Sequence, residues 1–241
     1  MHIHLIFDLT AYFVGFVVAF VFFKTHKQKS LIEKDLKVLY YSVVVIGFVI
    51  GSTLFGTINL YYSNVLFQDH QFFIGKSVLG ALLGGIIAVE IFKKIYDIKG
   101  STGAYFVPSL AIGIAIGRIG CFLSGLEDYT YGVETSSILG VDFGDGLLRH
   151  PVQLYESVTM FLFFIYVIVL FQYNKQHFEQ KIFYEFILVY DIQRFVWEFL
   201  KPYEEVLWGL NIFQLLNIVL VFYAIYYLRL SNVKADKNTI S

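Results

Sequence analysis

The stretch YFVPSLAIGIAIGRIGCFLSG, residues 105–125, places an arginine, Arg118, at the end of a long apolar run. Apolar residues make up 57% of the 241 residues and charged residues only 15%, and the mean hydropathy is +0.66. Soluble domains carry about 25% charged residues. A helix that crosses a bilayer needs about 20 mostly apolar residues. The stretch and the composition together therefore predict an all-α membrane protein.

Seven apolar runs of this kind are predicted to be transmembrane helices. They cover residues 5–23, 38–58, 73–92, 103–124, 153–172, 182–200 and 211–229. They do not alternate in polarity as membrane β-strands do. No internal repeat is visible, so residues 1–241 are predicted to form a single polytopic membrane domain. The connection 125–152 is long and rich in Gly, Asp and Ser, which is typical of a functional loop.

The distribution of Lys and Arg predicts the orientation. Thirteen of the 18 basic residues flank the spans on one side: Lys24, Lys27, Lys29, Lys34, Lys37, Lys93, Lys94, Lys99, Lys175, Lys181, Arg229, Lys234 and Lys237. Basic flanks mark the cytoplasmic side of a membrane protein. We therefore expect the N-terminus and the loop 125–152 outside and the C-terminus in the cytoplasm.

Five basic residues remain near the outer side: Lys76, Arg118, Arg149, Arg194 and Lys201. Other polar side chains interrupt the apolar runs: Asp8, Glu156, Asp191, Glu198 and Gln214. A charge at the centre of a membrane helix costs about 2.5–3.5 kcal/mol on insertion scales. Such residues are kept where they have a partner, a water-filled cavity or a function.

The spacing of these residues predicts a polar pocket at the depth of the outer lipid headgroups. Arg194 and Glu198 are four residues apart, so they share a helix face and can pair. Arg118 has no carboxylate within one turn of its own helix, and Gly117 and Gly120 beside it let a ligand or a helix approach. Two guanidinium groups suit a phosphate, because they bind its oxygens bidentately. The structural alternative is an Arg–Glu pair that only fixes helix packing.

Three motifs resemble those of the bacterial prolipoprotein diacylglyceryl transferase family. They are GRIGCFLSG (117–125), RHPVQLYES (149–157) and RFVWEFLKP (194–202), followed by a glutamine, Gln214, at the last span. Their order, their spacing and the seven predicted spans match the family from about residue 75 onward. The resemblance implies an enzyme of lipoprotein biosynthesis in the bacterial cytoplasmic (inner) membrane. At the outer leaflet it would transfer diacylglycerol from phosphatidylglycerol to the lipobox cysteine in the signal peptide of a prolipoprotein, releasing glycerol phosphate.

The resemblance also implies roles for individual residues. The catalytic residues would be Arg118, Arg194, Glu156 and Glu198, with the arginines on the phosphate and the glutamates orienting them or handling the thiol proton. Substrate binding would involve the matched motif positions Arg118, Gly120, Cys121, Ser124, Gly125, His150, Gln153, Tyr155 and Gln214. The expected partners are phosphatidylglycerol, the prolipoprotein signal peptide and the lipid bilayer.

The chain departs from the family pattern in two places. The family usually has His-Gly-Gly early in the third span, where this chain reads SVLGALLGG (77–85), and it has asparagines at the positions of Cys121 and Ser124. One alternative is therefore a relative that uses a different acceptor or only binds lipid. The other, from a different class, is a secondary transporter with these charges along its substrate path.

The sequence predicts neither a metal nor another cofactor. No cluster of His, Cys and carboxylate residues has the spacing of metal ligands. Cys121 is the single cysteine, which excludes an intramolecular disulfide and a thiolate-rich metal site. The net charge of −1 and the lack of a basic recognition cluster give no indication of a nucleic-acid partner.

Overall fold

The computed structural model describes residues 2–25, 31–62 and 74–239, and these residues are mostly helical. The α-helices in this part of the chain are α1 (His2–Thr25), α2 (Lys37–Tyr62), α3 (Val78–Ile95), α4 (Val107–Leu123), α5 (Val152–Tyr173), α6 (Lys175–Glu198) and α7 (Ile212–Thr239). Between α4 and α5, strands β1 (Val141–Asp142) and β2 (Leu148–Arg149) pair antiparallel. The mostly helical structure agrees with the predicted all-α membrane protein.

Within the described residues, five helical segments are long and apolar enough to cross a membrane. They are Ile3–Lys24, Lys34–Tyr62, Ala104–Leu123, Val152–Tyr173 and Ile212–Asn232. Helix α3 is only 18 residues long and contains Glu90, Lys93 and Lys94. Helix α6 has charged residues along its whole length. The structure thus accounts for five of the seven predicted spans by length and composition.

The predicted boundaries differ from the observed ones mainly where charged residues extend a helix. The sixth predicted run covers 182–200, but α6 begins at Lys175, where the Asn174 side chain accepts a hydrogen bond from the His177 backbone N–H at 3.1 Å. The seventh predicted run covers 211–229, whereas α7 continues to Thr239. Hydropathy marks the apolar part of a helix, while capping residues and helix-forming polar residues set its ends. The third run, 73–92, begins outside the described residues.

The chain divides into two compact units. One contains Met1–Lys27, Ser101–Pro202 and Val221–Ser241, and the other contains Gln28–Gly100 and Tyr203–Leu220. The first unit therefore holds α1, α4, α5, α6 and the β-hairpin. The second holds α2, α3 and the start of α7.

In the second unit, α2 and α3 pack through facing glycines. A Cβ atom on Gly84 would meet the carbonyl oxygen of Gly47, and it would lie 2.9 Å from the Cα atom of Gly51. A Cβ atom on Gly80 would meet the carbonyl oxygen of Gly51. Small residues at such contacts let membrane helices approach closely and associate. The run GALLGG (80–85) is therefore a packing face.

We expect Gly84→Ala to destabilise this helix pair by about 1–3 kcal/mol, because the added methyl group forces two backbones apart. The measurement is thermal unfolding in detergent micelles. Gly113→Ala on α4 is the matched control, since a Cβ atom there would make an ordinary contact of 3.8 Å with the Ala11 carbonyl oxygen. Equal unfolding temperatures for the two variants would contradict the tight α2–α3 contact.

The first unit is built so that three helix ends meet. Asn174 alone connects α5 to α6, so the two helices are antiparallel neighbours, and the start of α5 lies beside the end of α6. Helix α4 packs against α5, and the Ser157 hydroxyl donates a hydrogen bond to the Ala115 carbonyl at 2.8 Å. The loop 124–151 joins the end of α4 to the start of α5. Arg118, Glu156 and Arg194 therefore come to the same end of the unit.

Candidate functional site

Glu156 is the centre of a buried ionic cluster at this end. Its Oε1 atom accepts hydrogen bonds from Arg194 Nη1 at 2.6 Å and from Lys201 Nζ at 2.7 Å. Its Oε2 atom lies 2.5 Å from Arg118 Nε. Glu156 is only 1% exposed. One carboxylate therefore binds cations from α4, from α6 and from the segment after α6.

Glu198 is the second carboxylate of the cluster. Its Oε1 atom lies 2.7 Å from Arg194 Nη2 and 3.3 Å from Lys201 Nζ. The pairing of Arg194 with Glu198, predicted from their spacing, is therefore present. Because Arg194 contacts one carboxylate on its own helix and another on α5, the plane of its guanidinium group is fixed.

Lys201 is the member of the cluster that the motifs did not assign to the site. Its side chain is completely buried and contacts both carboxylates. The sequence did carry a signal for it. Lys201 is one of the five basic residues that the predicted topology places near the outer side, and it follows Glu198 by three positions.

Arg118 has a carboxylate partner that inspection of its own helix does not reveal. Glu156 approaches it from α5, across the α4–α5 contact. Arg118 lacks a carboxylate within one turn of α4, as the sequence shows, and the carboxylate that pairs with it comes from another helix. Glu156 contacts the Nε atom of the guanidinium group, whereas the Nη1 atom lies 4.0 Å from Cys121 Sγ.

Among the residues that the structure describes, the five paired groups of the cluster carry a net charge of +1. Three cations (Arg118, Arg194 and Lys201) share two carboxylates (Glu156 and Glu198), and each of the five residues is at most 7% exposed. Buried charges are costly unless they are compensated. A phosphate suits this arrangement, because it supplies negative charge and several oxygens that accept hydrogen bonds from guanidinium and ammonium groups. Asp191, one turn before Arg194, is also buried, but its carboxylate makes no hydrogen bond within the described residues.

The two glycines beside Arg118 have different surroundings. A Cβ atom on Gly120 would lie 2.5 Å from the Cβ atom of Phe7, so α1 fills the space on that side. A Cβ atom on Gly117 would have nothing within 4 Å. Gly120 therefore serves helix packing, and the open side of α4 near Arg118 is at Gly117.

Ser124 and Gly125 end α4. The Ser124 hydroxyl donates a hydrogen bond to the Gly120 carbonyl at 2.9 Å. Gly125 has a φ of +63°, which suits a residue without a side chain at the turn into the 3₁₀ segment Gly125–Asp128. These contacts terminate the helix, and a role in substrate binding stays a prediction for both residues.

The start of α5 places the other predicted residues of the RHPVQLYES motif. His150 Nδ1 lies 3.4 Å from the Tyr155 hydroxyl, and the Tyr155 ring packs on the Trp197 ring with 5.1 Å between centroids. Gln153, one turn before Glu156, is fully buried, and its side-chain amide has no hydrogen-bond partner within the described residues. A buried amide without a partner is available to a substrate or a water molecule.

Gln214 lies in the second unit and caps α7. Its side-chain oxygen accepts a hydrogen bond from the Asn211 backbone N–H at 2.9 Å. The Asn211 side chain accepts one from the Gln214 backbone N–H at the same distance. This reciprocal pair satisfies backbone donors at the start of the helix. Substrate binding by Gln214 stays a prediction.

The loop 125–152 is folded around its hairpin. The Asp142 side chain accepts hydrogen bonds from the backbone N–H groups of Gly144 and Gly146, at 2.8 and 3.1 Å. Asp145 Oδ2 accepts hydrogen bonds from Arg149 Nε and Nη2 at 2.9 and 2.7 Å, and these bonds lower the pKa of the Asp145 carboxyl group. The loop is joined to the end of α6, since the Val133 N–H donates to the Leu200 carbonyl at 2.7 Å. Arg149 therefore supports the loop and is not part of the ionic cluster.

Within the described residues, no three His, Cys, Asp or Glu side chains are arranged to bind a metal ion. The groups of the cluster are instead cations paired with carboxylates. This arrangement favours an anionic ligand.

Comparison with known proteins identifies the family. The model of the prolipoprotein diacylglyceryl transferase family matches residues 6–230. The chain belongs to this family. The matched range contains all five residues of the ionic cluster.

Several relatives carry the name phosphatidylglycerol–prolipoprotein diacylglyceryl transferase. The protein from Ehrlichia ruminantium (strain Welgevonden) is 31% identical over 239 residues, which cover 92% of this chain and 91% of the relative. The protein from Clostridioides difficile (strain 630) is 31% identical, with 90% and 86% covered. The protein from Campylobacter jejuni (strain 81-176) is 29% identical, with 85% and 80% covered. No solved structure matches the chain.

Proposed function

We propose that this chain is an enzyme that transfers the diacylglyceryl group of phosphatidylglycerol to a cysteine thiol of prolipoproteins. The observation that carries the proposal is the buried cluster of three cations and two carboxylates in a member of this family. The names of the relatives give the donor and the acceptor class. We assign the acceptor thiol to the lipobox cysteine of the prolipoprotein signal peptide.

In this reaction, the cluster acts on the phosphate of the donor lipid. Arg118 and Arg194 bind the phosphate oxygens, and Lys201 adds a third positive charge at the end of α6. Glu156 and Glu198 keep the cations oriented. The thiol loses its proton and its sulfur forms the new C–S bond, while the C–O bond to the phosphate breaks with its electron pair on the leaving glycerol phosphate. The released proton ends on the glycerol phosphate. Cations fixed in advance stabilise the charge that develops on this leaving group.

The proposed membrane arrangement has seven spans in one polytopic domain of residues 1–241. Helices α3 and α6 cross the membrane with the five segments named above, the N-terminus and the loop 125–152 lie outside, and the C-terminus is cytoplasmic. The cluster then lies at the outer leaflet of the bacterial cytoplasmic membrane. The distribution of 13 of the 18 basic residues supports this orientation.

Two exposed positions test the orientation in intact cells. Ile138 in the loop is 99% exposed, and the Lys99 side chain is 81% exposed. In a Cys121→Ser background, we expect Ile138→Cys to react with a membrane-impermeant maleimide from outside. Lys99→Cys should react only after the cells are permeabilised. Reaction of both positions from the same side would contradict the seven-span arrangement.

Complementation tests the proposed activity. A cell depleted of its own transferase receives this chain, and attachment of diacylglycerol to a reporter lipoprotein is measured. The second candidate function is lipid binding without transfer, or transfer to a different acceptor, and it is favoured by the stretch SVLGALLGG, which has no histidine where the family usually carries one. Good expression in the membrane without modification of the reporter would support this second candidate.

A further inference from the structure

A histidine on α1 connects a carboxylate to the thiol next to Arg118. His4 Nδ1 lies 3.0 Å from Asp8 Oδ2, one turn further along the helix. His4 Nε2 lies 3.7 Å from Cys121 Sγ on α4. The same sulfur atom is 4.0 Å from Arg118 Nη1. Carboxylate, imidazole, thiol and guanidinium groups therefore follow one another in a continuous series.

This contact depends on the close packing of α1 against α4. Because Gly120 has no side chain, Phe7 can lie against α4, and His4 on the preceding turn comes level with Cys121. The side chains of His4 and Asp8 are 33% and 40% exposed. The imidazole is therefore more exposed than the members of the ionic cluster, and a substrate can reach it.

The chemistry of this series is proton transfer from a thiol. A carboxylate on one ring nitrogen fixes the tautomer and the orientation of an imidazole, so that its other nitrogen can accept a proton. The thiolate, and not the thiol, is the nucleophile in sulfur chemistry. A nearby guanidinium group stabilises the thiolate that forms.

We infer that His4, positioned by Asp8, is the proton acceptor for thiols that come next to Arg118. In the resting protein this thiol is Cys121. During transfer it is the acceptor cysteine, and this part of the inference rests on the proposed function. The S–H proton goes to His4 Nε2, the sulfur forms a bond to the diacylglyceryl carbon, and the C–O bond to the phosphate breaks. The charged and titratable groups that meet His4 in this series are Asp8 on α1 and, on α4, Cys121 with Arg118 behind it.

Alkylation of Cys121 tests whether His4 accepts the proton of a thiol, and it needs no transfer assay. The chain has one cysteine, so iodoacetamide reacts with a single thiol. At pH 7 we expect His4→Gln to slow the alkylation by roughly tenfold and Asp8→Asn to slow it less. Near pH 10 the rates should converge, because thiols ionise there without help. Unaltered thermal unfolding of the variants shows that the fold is kept.

His177→Gln is the matched control. His177 Nε2 lies 2.6 Å from Glu185 Oε1, so it is also a histidine paired with a carboxylate in the first unit, but it lies on α6 near the turn at Asn174. Its substitution should leave the alkylation of Cys121 unchanged. Equal alkylation rates for the parent and His4→Gln at pH 7 would overturn the inference.

The second measurement is transfer from labelled phosphatidylglycerol to a cysteine-containing acceptor peptide in detergent micelles. We expect His4→Gln to lower kcat by about 100-fold or more, as is typical for the loss of a general base, with little change in KM for the lipid. Higher pH should partly restore the rate. If the parent is active and His4→Gln matches it, the inference is wrong. If the parent itself is inactive, the proposed function fails. The alkylation rates of Cys121 still decide whether His4 accepts a thiol proton.

Discussion

Replacing Glu156 with glutamine is expected to destabilise the protein by about 3–5 kcal/mol and to abolish transfer. The substitution keeps the size of the side chain but removes the charge that binds Arg118, Arg194 and Lys201. Arg194 and Lys201 would then keep their pairing with Glu198, whereas Arg118 would lose the carboxylate opposite it. Removing one partner of a buried ion pair is costly, because the charge left behind stays buried without compensation. The measurement is thermal unfolding in detergent, with the apparent midpoint lowered by on the order of 10 °C.

Glu185→Gln is the control for this substitution. Glu185 accepts a hydrogen bond from the Tyr166 hydroxyl at 3.0 Å and pairs with His177, but its side chain is 21% exposed. Partly hydrated pairs of this kind contribute about 1 kcal/mol or less. We therefore expect a small change in the midpoint. A Glu156→Gln variant that unfolds at the same temperature as Glu185→Gln would show that the cluster does not depend on its central carboxylate.

The features that the sequence predicted well are those set by local geometry. A run of about 20 apolar residues predicts a helix wherever it occurs, and the observed helices overlap all seven predicted runs. The Arg194–Glu198 pair was predictable because residues four apart always share a helix face.

The features that the sequence did not show depend on how helices are rotated against one another. Glu156 pairs with Arg118 and Lys201 only because α5 turns this face toward α4 and the end of α6. Hydropathy does not fix this rotation for a helix that is apolar on all sides. The contact of His4 with Cys121 joins residues 117 positions apart for the same reason. Positions that meet across helices therefore became visible only in the structure.

Arg118→Lys is expected to keep the fold and to lose most of the transfer activity. Arg118 uses Nε for Glu156, while Nη1 lies toward Cys121 on another edge of the same planar group. A lysine has one nitrogen atom, so it can keep the contact with Glu156 or reach a phosphate, but it cannot do both in the same geometry. The loss of one charge-assisted contact costs about 1.5–3 kcal/mol, or roughly ten- to a hundredfold in binding. The loss in kcat is greater still if the contact strengthens as charge develops on the departing phosphate.

Arg149→Lys provides the matched control, because Arg149 binds Asp145 in the loop through two nitrogen atoms and does not contact the cluster. We expect this variant to retain transfer to within about threefold. The assay is transfer from labelled phosphatidylglycerol to an acceptor peptide, together with thermal unfolding of each variant in detergent. Arg118→Lys should unfold at a temperature close to that of the parent, since the positive charge opposite Glu156 is retained. If it transfers lipid as fast as Arg149→Lys, or if it loses activity only by unfolding, then Arg118 serves helix packing and the phosphate is bound elsewhere.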